Sequence, residues 1–486
     1  MSAATPASGS IPSWLVEPAD ANGLVESVWP ASAERDDDGV IRIAGVAVTA
    51  LRERFGTPLY VLDEEEVRAH ARAALAAFRS ATAAHGVGAR VYYAGKAFLS
   101  TEVVRWVTEE GLAVDVCSEG ELAVALAAGA EPGYIGFHGN NKSVRELERA
   151  VDVGIGSIVI DSHDEIDRLE AIMRRRRADD PQASQSVLVR VVSGVHAETH
   201  DFLATAHEDQ KFGFALRDAG AAVARIRTIP GLVFLGLHCH IGSQIFGTSG
   251  FAESAARVVE LHAALLAGGA VPVMNLGGGF GIAYTAADDP TPIEELAAGI
   301  VDAVARECAE RSIPIPNLAF EPGRAIVGRA GVTLYEVGTV KPVQVSEALT
   351  RTYVSVDGGM SDNVRPALYG AQYSARIASR VSDASPALAR VVGRHCESGD
   401  IVVDAEYLPG DVAAGDLLAV PATGAYCFSL ASNYNYVPRP AVVAVRGGAA
   451  RVIVRAESIS DLLARDAGAS GEESNVPVLS ERSESK

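Results

Sequence analysis

Basic residues are scarce in this chain. Lys and Arg together number 42 against 62 Asp and Glu, a formal net charge of −20 at pH 7. Nucleic acids and anionic membranes are bound through a basic face, so a balance this acidic argues against both as partners. Cysteine is scarce as well: Cys117, Cys239, Cys308, Cys396 and Cys427 are odd in number and far apart, with no C-x-x-C pair. Neither a disulfide framework nor a zinc site follows from that spacing, and no metal is expected. The opening MSAATPASGSIPSWLVEPAD has no basic n-region and no continuous apolar h-region, so it does not read as a secretory signal. One uncharged stretch, Ala263 to Thr285, is long enough to span a bilayer, but it carries six glycines, Pro272 and Asn275, and its NLGGGFG core reads as a loop. These absences leave a soluble cytoplasmic enzyme as the expectation.

The chain does have length and apolar content. Its 486 residues, 48% hydrophobic, exceed one ordinary compact core and suggest two domains or a large barrel with an addition. From Arg90 to Arg324, eight strand-like segments (VYYAGKA, LAVDVCS, YIGFHGN, SIVIDS, VLVRVVS, FLGLHCHIGS, VMNLGGG and LAFEPGR) alternate with Ala-, Leu- and Glu-rich stretches of helical spacing. Near-continuous apolar strands in eight βα units predict an α/β protein built on a parallel (β/α)8 barrel. Beyond Arg324 the chain turns β-rich and is punctuated by Gly and Pro, which predicts a second, mostly antiparallel β domain. VIRIAGVAVTALRERFGTPLYVLD, ahead of the barrel, looks similar and is expected to join it. The expected division is an N-terminal arm and part of the β domain at 1–65, the barrel at 66–328, the β domain at 329–465 and a disordered tail at 466–486. The RRRR run at 174–177 reads as a solvated helix end.

Function in such a barrel gathers where the strands end. Here the ends are polar or glycine-rich although the strand bodies are apolar: Lys96, Cys117-Ser118-Glu119, His138-Gly139-Asn140, Asp161, His240 to Ser243, Gly277-Gly278-Gly279, and Glu321 to Arg324. The three glycines let backbone N–H groups approach an anion, and a following helix would add its positive N-terminus. A plain tight turn would use them too. With a phosphate site nearby, Lys96 has two chemical uses, as a Schiff-base nucleophile of an aldolase or as the lysine holding pyridoxal phosphate; pairing with Asp115 is the bland alternative. Glu321 favours the second use, because a carboxylate is the natural partner for a protonated pyridine nitrogen. His240 could lie against a planar ring, with His238 competing for that role.

Taken together, YYAGKAF, GLHCHIGSQ, NLGGGFGI, EPGR, VDGGMSDNVRPALYGA, HCESGD and GAYCFSLASNYN resemble the diaminopimelate decarboxylases, pyridoxal-phosphate enzymes of the alanine racemase-like fold. The matches run in order from about residue 55 to 450. HIGSQ, EPGR and GGGFG recur in ornithine and arginine decarboxylases, whereas CESGD with DNVRPALYGA is specific to the diaminopimelate branch. THDFLATAHEDQKFGFAL looks like that branch's substrate-side loop.

The resemblance implies decarboxylation of meso-2,6-diaminopimelate to L-lysine and CO2, the last step of lysine biosynthesis, with pyridoxal 5'-phosphate as cofactor. It implies that Lys96 carries the cofactor, that His240 stacks on its ring and that Glu321 holds the pyridine nitrogen. Ser243, Gly277, Gly278, Gly279, Gly323, Arg324 and Tyr426 would surround the cofactor and its phosphate. Arg324, Arg365, Tyr369 and Tyr426 would bind the substrate. Cys396, as proton donor, and Glu397, as partner of the distal ammonium, would come from the second subunit of a head-to-tail homodimer with shared sites. The rivals are a decarboxylase for arginine, ornithine or carboxynorspermidine, and a non-catalytic pyridoxal-phosphate-binding homologue.

Overall fold

The computed structural model describes residues 11–195 and 210–469. The first ten residues of the arm, residues 199–209 of the suggested substrate-side loop and the tail from 470 lie outside the described residues.

All eight expected barrel strands form: β1 (Ala89–Ala94), β2 (Ala113–Val116), β3 (Ile135–Phe137), β4 (Ser157–Ile160), β5 (Gln185–Val192), β6 (Leu232–Cys239), β7 (Val273–Asn275) and β8 (Asn317–Phe320). Each pairs in parallel with its neighbours, and β8 returns to β1 through Leu318 opposite Ala89, closing the ring. Helices cover the outside and side chains fill the inside, so residues such as Val114, Val116, Ile158 and Ile160 are buried whichever way they point.

The strand ends are kept short by serine caps. Ser118, Ser143 and Ser162 each accept the backbone N–H three residues on, from Glu121, Glu146 and Glu165. The three glutamates reach back to the N–H groups of Cys117, Ser143 and Asp161 at 2.7, 2.9 and 3.1 Å. Donors otherwise orphaned at each helix start are thus satisfied within one turn, and the helix begins directly above the rim.

The second domain is a mixed, mostly antiparallel sheet. Leu59–Asp63 pairs antiparallel with Gly331–Leu334 and in parallel with Ala441–Val445, so segments from before and after the barrel share one sheet. The stretch ahead of the barrel is not all β: Val48–Phe55 is a helix, because Val48 and Leu51 bury one face of it. The helix that follows the glycine run stands off from it. The N–H groups of Tyr284 and Thr285 both donate to Asp288 at 2.9 Å, tying a turn, and the next helix starts only at Ile293. Arg174–Arg177 do end a helix, where Arg175 pairs with Glu148 and Arg176 with Asp152. Among the described residues, no helix is long and apolar enough to cross a membrane.

Candidate active site

Lys96 lies in a single turn, Gly95–Ala97, just past β1. A Cβ on Gly95 would stand 2.8 Å from the Asp115 carbonyl, so only glycine lets the chain pass that close to β2 before delivering the lysine. The turn is gripped from the second domain, with the Tyr426 N–H and the Ser429 hydroxyl donating to the Ala97 carbonyl at 2.7 and 3.1 Å. Lys96, His240 and Glu321 line both lobes of a cavity at the C-terminal rim. The larger lobe, about 320 Å³, is also walled by Asp115, His138, Arg190, Lys211 and His238. The smaller, about 40 Å³, is walled by Ser243, Gly279, Gly323, Arg324 and Tyr426. Asp115 Oδ1 lies 3.3 Å from His138 Nε2, and among the described residues no ion pair joins it to Lys96.

Glu321 follows β8 directly and is buried. Its carboxylate accepts from Asn275 Nδ2 at 2.7 Å and faces Nε2 of His238 and of His138 at 3.2 and 3.3 Å. Burial opposes its ionisation, but the imidazoles of His138 and His238 outweigh that and hold the carboxyl well below its usual range. Burial pushes the His138 pKa down to about 3, against the opposing pull of the Glu321 charge. The ligand atoms of His138, His238 and Glu321 lie within 4.8 Å of one another and could hold a cation; here His238 hydrogen-bonds the carboxylate at 3.3 Å and His138 Nε2 stands 3.3 Å from it. His240 is separate from that set. Its Nδ1 accepts the Gly278 N–H at 3.3 Å, and burial, with the charges of Lys96 and Arg190, keeps it neutral. The two histidines of HCH therefore divide: His238 serves Glu321, and His240 faces both lobes.

The glycines owe their identity to close packing. A Cβ on Gly278 would stand 2.1 Å from the Glu321 carbonyl, and one on Gly279, whose φ is 110°, would stand 2.4 Å from the Gly242 carbonyl. Gly277 and Gly278 are buried in this junction, and only Gly279 reaches the smaller lobe.

Arg324 and Arg365 are both buried. Arg324 donates to Ser243 Oγ at 2.6 Å and to the Tyr284 hydroxyl, and Arg365 donates to that same hydroxyl at 2.9 Å and to Tyr373. Among the described residues, neither guanidinium forms an ion pair. Tyr369 is half-buried at the end of the short helix Arg365–Tyr369 and lines neither lobe. Cys396 and Glu397 are exposed in a turn of the second domain and also line neither lobe. Asp400 accepts the His395 and Met360 N–H groups at 2.7 and 2.6 Å, fixing that turn.

Sequence reasoning missed His138 and Asn275 as partners of Glu321, Arg190 in the cavity wall, and Tyr284 and Tyr373 as partners of the arginines; Lys211 in that wall belongs to the stretch read as a substrate-side loop. His138 had a signal, as a polar residue directly after a buried strand; the tyrosines sit in loops and had none.

A cofactor of pyridoxal-phosphate type fits these residues. A lysine and a buried carboxylate face one cavity, and its side lobe offers a hydroxyl, an arginine and glycines where side chains would otherwise intrude. Comparison with known proteins agrees. Residues 66–328, more than half of the chain, match the family model for the pyridoxal-dependent decarboxylase, pyridoxal binding domain. The diaminopimelate decarboxylase of Mycobacterium tuberculosis is 53% identical over 449 residues, covering 90% of this chain and 98% of that one. The chain belongs to the diaminopimelate decarboxylase family. Another member, from Corynebacterium efficiens, is 48% identical over 446 residues, covering 91% of this chain and 95% of its own. Among solved structures, the diaminopimelate decarboxylase of M. jannaschii superposes with a TM-score of 0.82 at 30% identity, covering 90% of this chain and 98% of that one. The family's fold, a parallel barrel joined to a mostly antiparallel sheet, is the fold seen here.

Proposed function

We propose that this protein decarboxylates meso-2,6-diaminopimelate to L-lysine and CO2 with pyridoxal 5'-phosphate, the last step of lysine biosynthesis. The observation that carries this reading is Lys96 and the buried, ionised Glu321 facing one cavity with Arg324 in its wall and no acidic partner for Arg324 or Arg365 among the described residues. A substrate with two carboxylates needs fixed cations, whereas arginine or ornithine would need acidic groups at its far end.

When bound, the cofactor supplies an electron sink for the carbon that loses its carboxylate. Lys96 is the amine that would hold it, and Glu321 would keep a proton on the pyridine nitrogen. His240, being neutral, would pack against the ring without competing for that proton. Ser243, Gly279, Gly323, Arg324 and Tyr426 would surround the cofactor's phosphate, with Gly277 and Gly278 forming the buried turn that presents Gly279 to it. Arg324, Arg365, Tyr369 and Tyr426 would bind the substrate's carboxylates. Cys396 would return a proton to the carbon, and Glu397 would receive the distal ammonium.

Exposure of Cys396 and Glu397, away from their own chain's cavity, supports a head-to-tail homodimer in which they complete the second copy's site. We further propose a cytoplasmic location and a division into an arm with part of the β domain (1–65), the cofactor-binding barrel (66–328), the β domain (329–465) and a tail (466–486). The test supplies purified protein and cofactor with meso-diaminopimelate, arginine or ornithine in parallel. Release of L-lysine and CO2 from the first alone is expected; consumption of arginine or ornithine instead would sink the reading.

Glu321→Gln should retain the cofactor but slow turnover about a hundredfold, since a neutral amide no longer enforces the pyridinium. Absorbance of the bound cofactor and kcat, measured on one preparation, check this. An unchanged kcat would leave the carboxylate with another role.

A further inference from the structure

Tyr284 stands between two buried cations. Its phenol oxygen accepts from Arg365 at 2.9 Å and from Arg324, and the guanidinium carbons lie 4.9 and 5.6 Å from its ring centroid. The ring is braced by Tyr373, edge-on at 5.2 Å, and the Tyr373 hydroxyl takes a second donor from Arg365 and meets Cys427 Sγ at 3.5 Å. Below the ring, the backbone of Tyr284 and Thr285 is pinned to Asp288.

This arrangement is costly without a ligand. Two like charges side by side repel, and each loses hydration on burial unless something accepts its hydrogen bonds. A carboxylate would neutralise the pair and make it useless for an anionic substrate. A phenol has two lone pairs, so one neutral oxygen satisfies a donor from each arginine and leaves the double positive charge intact. It also fixes the separation of the two guanidiniums, because both point at the same atom.

We propose that Tyr284 is the positioning residue that makes Arg324 and Arg365 a single clamp for the substrate's second carboxylate, and so sets preference for a dicarboxylate amino acid. This rests on the function proposed above and adds to it the residue that orients the clamp. Tyr284 acts through the arginines; Tyr373 steadies Arg365 in the same way but touches only one of them.

The test uses the holoenzyme and Tyr284→Phe, which removes one oxygen and keeps the ring. KM for meso-diaminopimelate should rise about tenfold, the size expected for lost hydrogen bonds to charged groups, with kcat changed less than about threefold. Heptanedioate should lose competitive inhibition by about the same factor, while hexanoate, with one carboxylate, should not. Cofactor absorbance per subunit at saturating cofactor should match wild type, while the melting midpoint should fall, because two buried guanidiniums lose a shared acceptor. Tyr373→Phe should give a smaller loss of the same kind, and it carries the test if Tyr284→Phe fails to fold. The assignment is overturned if KM stays put, if kcat alone falls, or if both inhibitors weaken together. A wild type that neither turns over meso-diaminopimelate nor prefers heptanedioate to hexanoate would instead overturn the functional reading beneath it.

Discussion

Lys96→Ala is expected to abolish decarboxylation and the visible absorbance of bound cofactor together, with kcat down by more than about 10³-fold. The loss should be chemical, not structural. The turn is held by its backbone: the Tyr93 hydroxyl donates to the Phe98 carbonyl at 2.5 Å, and Tyr426 and Ser429 hold the Ala97 carbonyl, so none of these contacts needs the lysine side chain. Few other amines could stand in. Lys142 is buried, donating to the Gly139 and Val159 carbonyls and paired with Glu165 at 2.8 Å. Lys341 lies on the long strand Gly331–Ser346 of the second domain, and Lys486 is outside the described residues. Among the other described lysines, Lys211 alone lines the cavity and is the real competitor. Borohydride reduction of the holoenzyme followed by peptide mapping decides between them. Label on Lys96 in wild type and none in the variant is the expected pattern; label persisting on Lys211 in the variant would reassign the cofactor lysine.

Mixing two dead variants should restore activity. Cys396→Ala should lose about 10²- to 10⁴-fold in rate as a missing proton donor, yet keep the cofactor absorbance, because Cys396 is exposed and lines neither lobe of its own chain's cavity. If each site of a homodimer takes Lys96 from one chain and Cys396 from the other, a heterodimer of Lys96→Ala with Cys396→Ala has one site carrying both defects and one carrying neither. About half the chains enter heterodimers on random exchange, each with one intact site, so about a quarter of wild-type activity should return. Activity is assayed after verified subunit exchange, with each variant alone as baseline. No recovery would put Cys396 in its own chain's site or outside catalysis.

The sequence by itself determined the barrel and the polar groups at its rim. Parallel strands covered on both sides must be apolar throughout, so all eight stand out as short hydrophobic runs, and Lys96, His240 and Glu321 stand out as polar residues arriving directly after them. The second domain was legible by its change of rhythm after Arg324. Local pattern misled where tertiary contacts decide: Val48–Phe55 is helical because Val48 and Leu51 have a surface to bury against. What only the tertiary structure decided is which polar groups meet. His138 reaches Glu321 across the closed ring, from residues 183 positions apart in the chain, and Tyr284 joins an arginine of the barrel rim to one of the second domain. Such pairings depend on ring closure and domain docking, which bring together loops whose own sequences carry no periodicity. A hydrogen bond between two loops leaves no pattern in either of them.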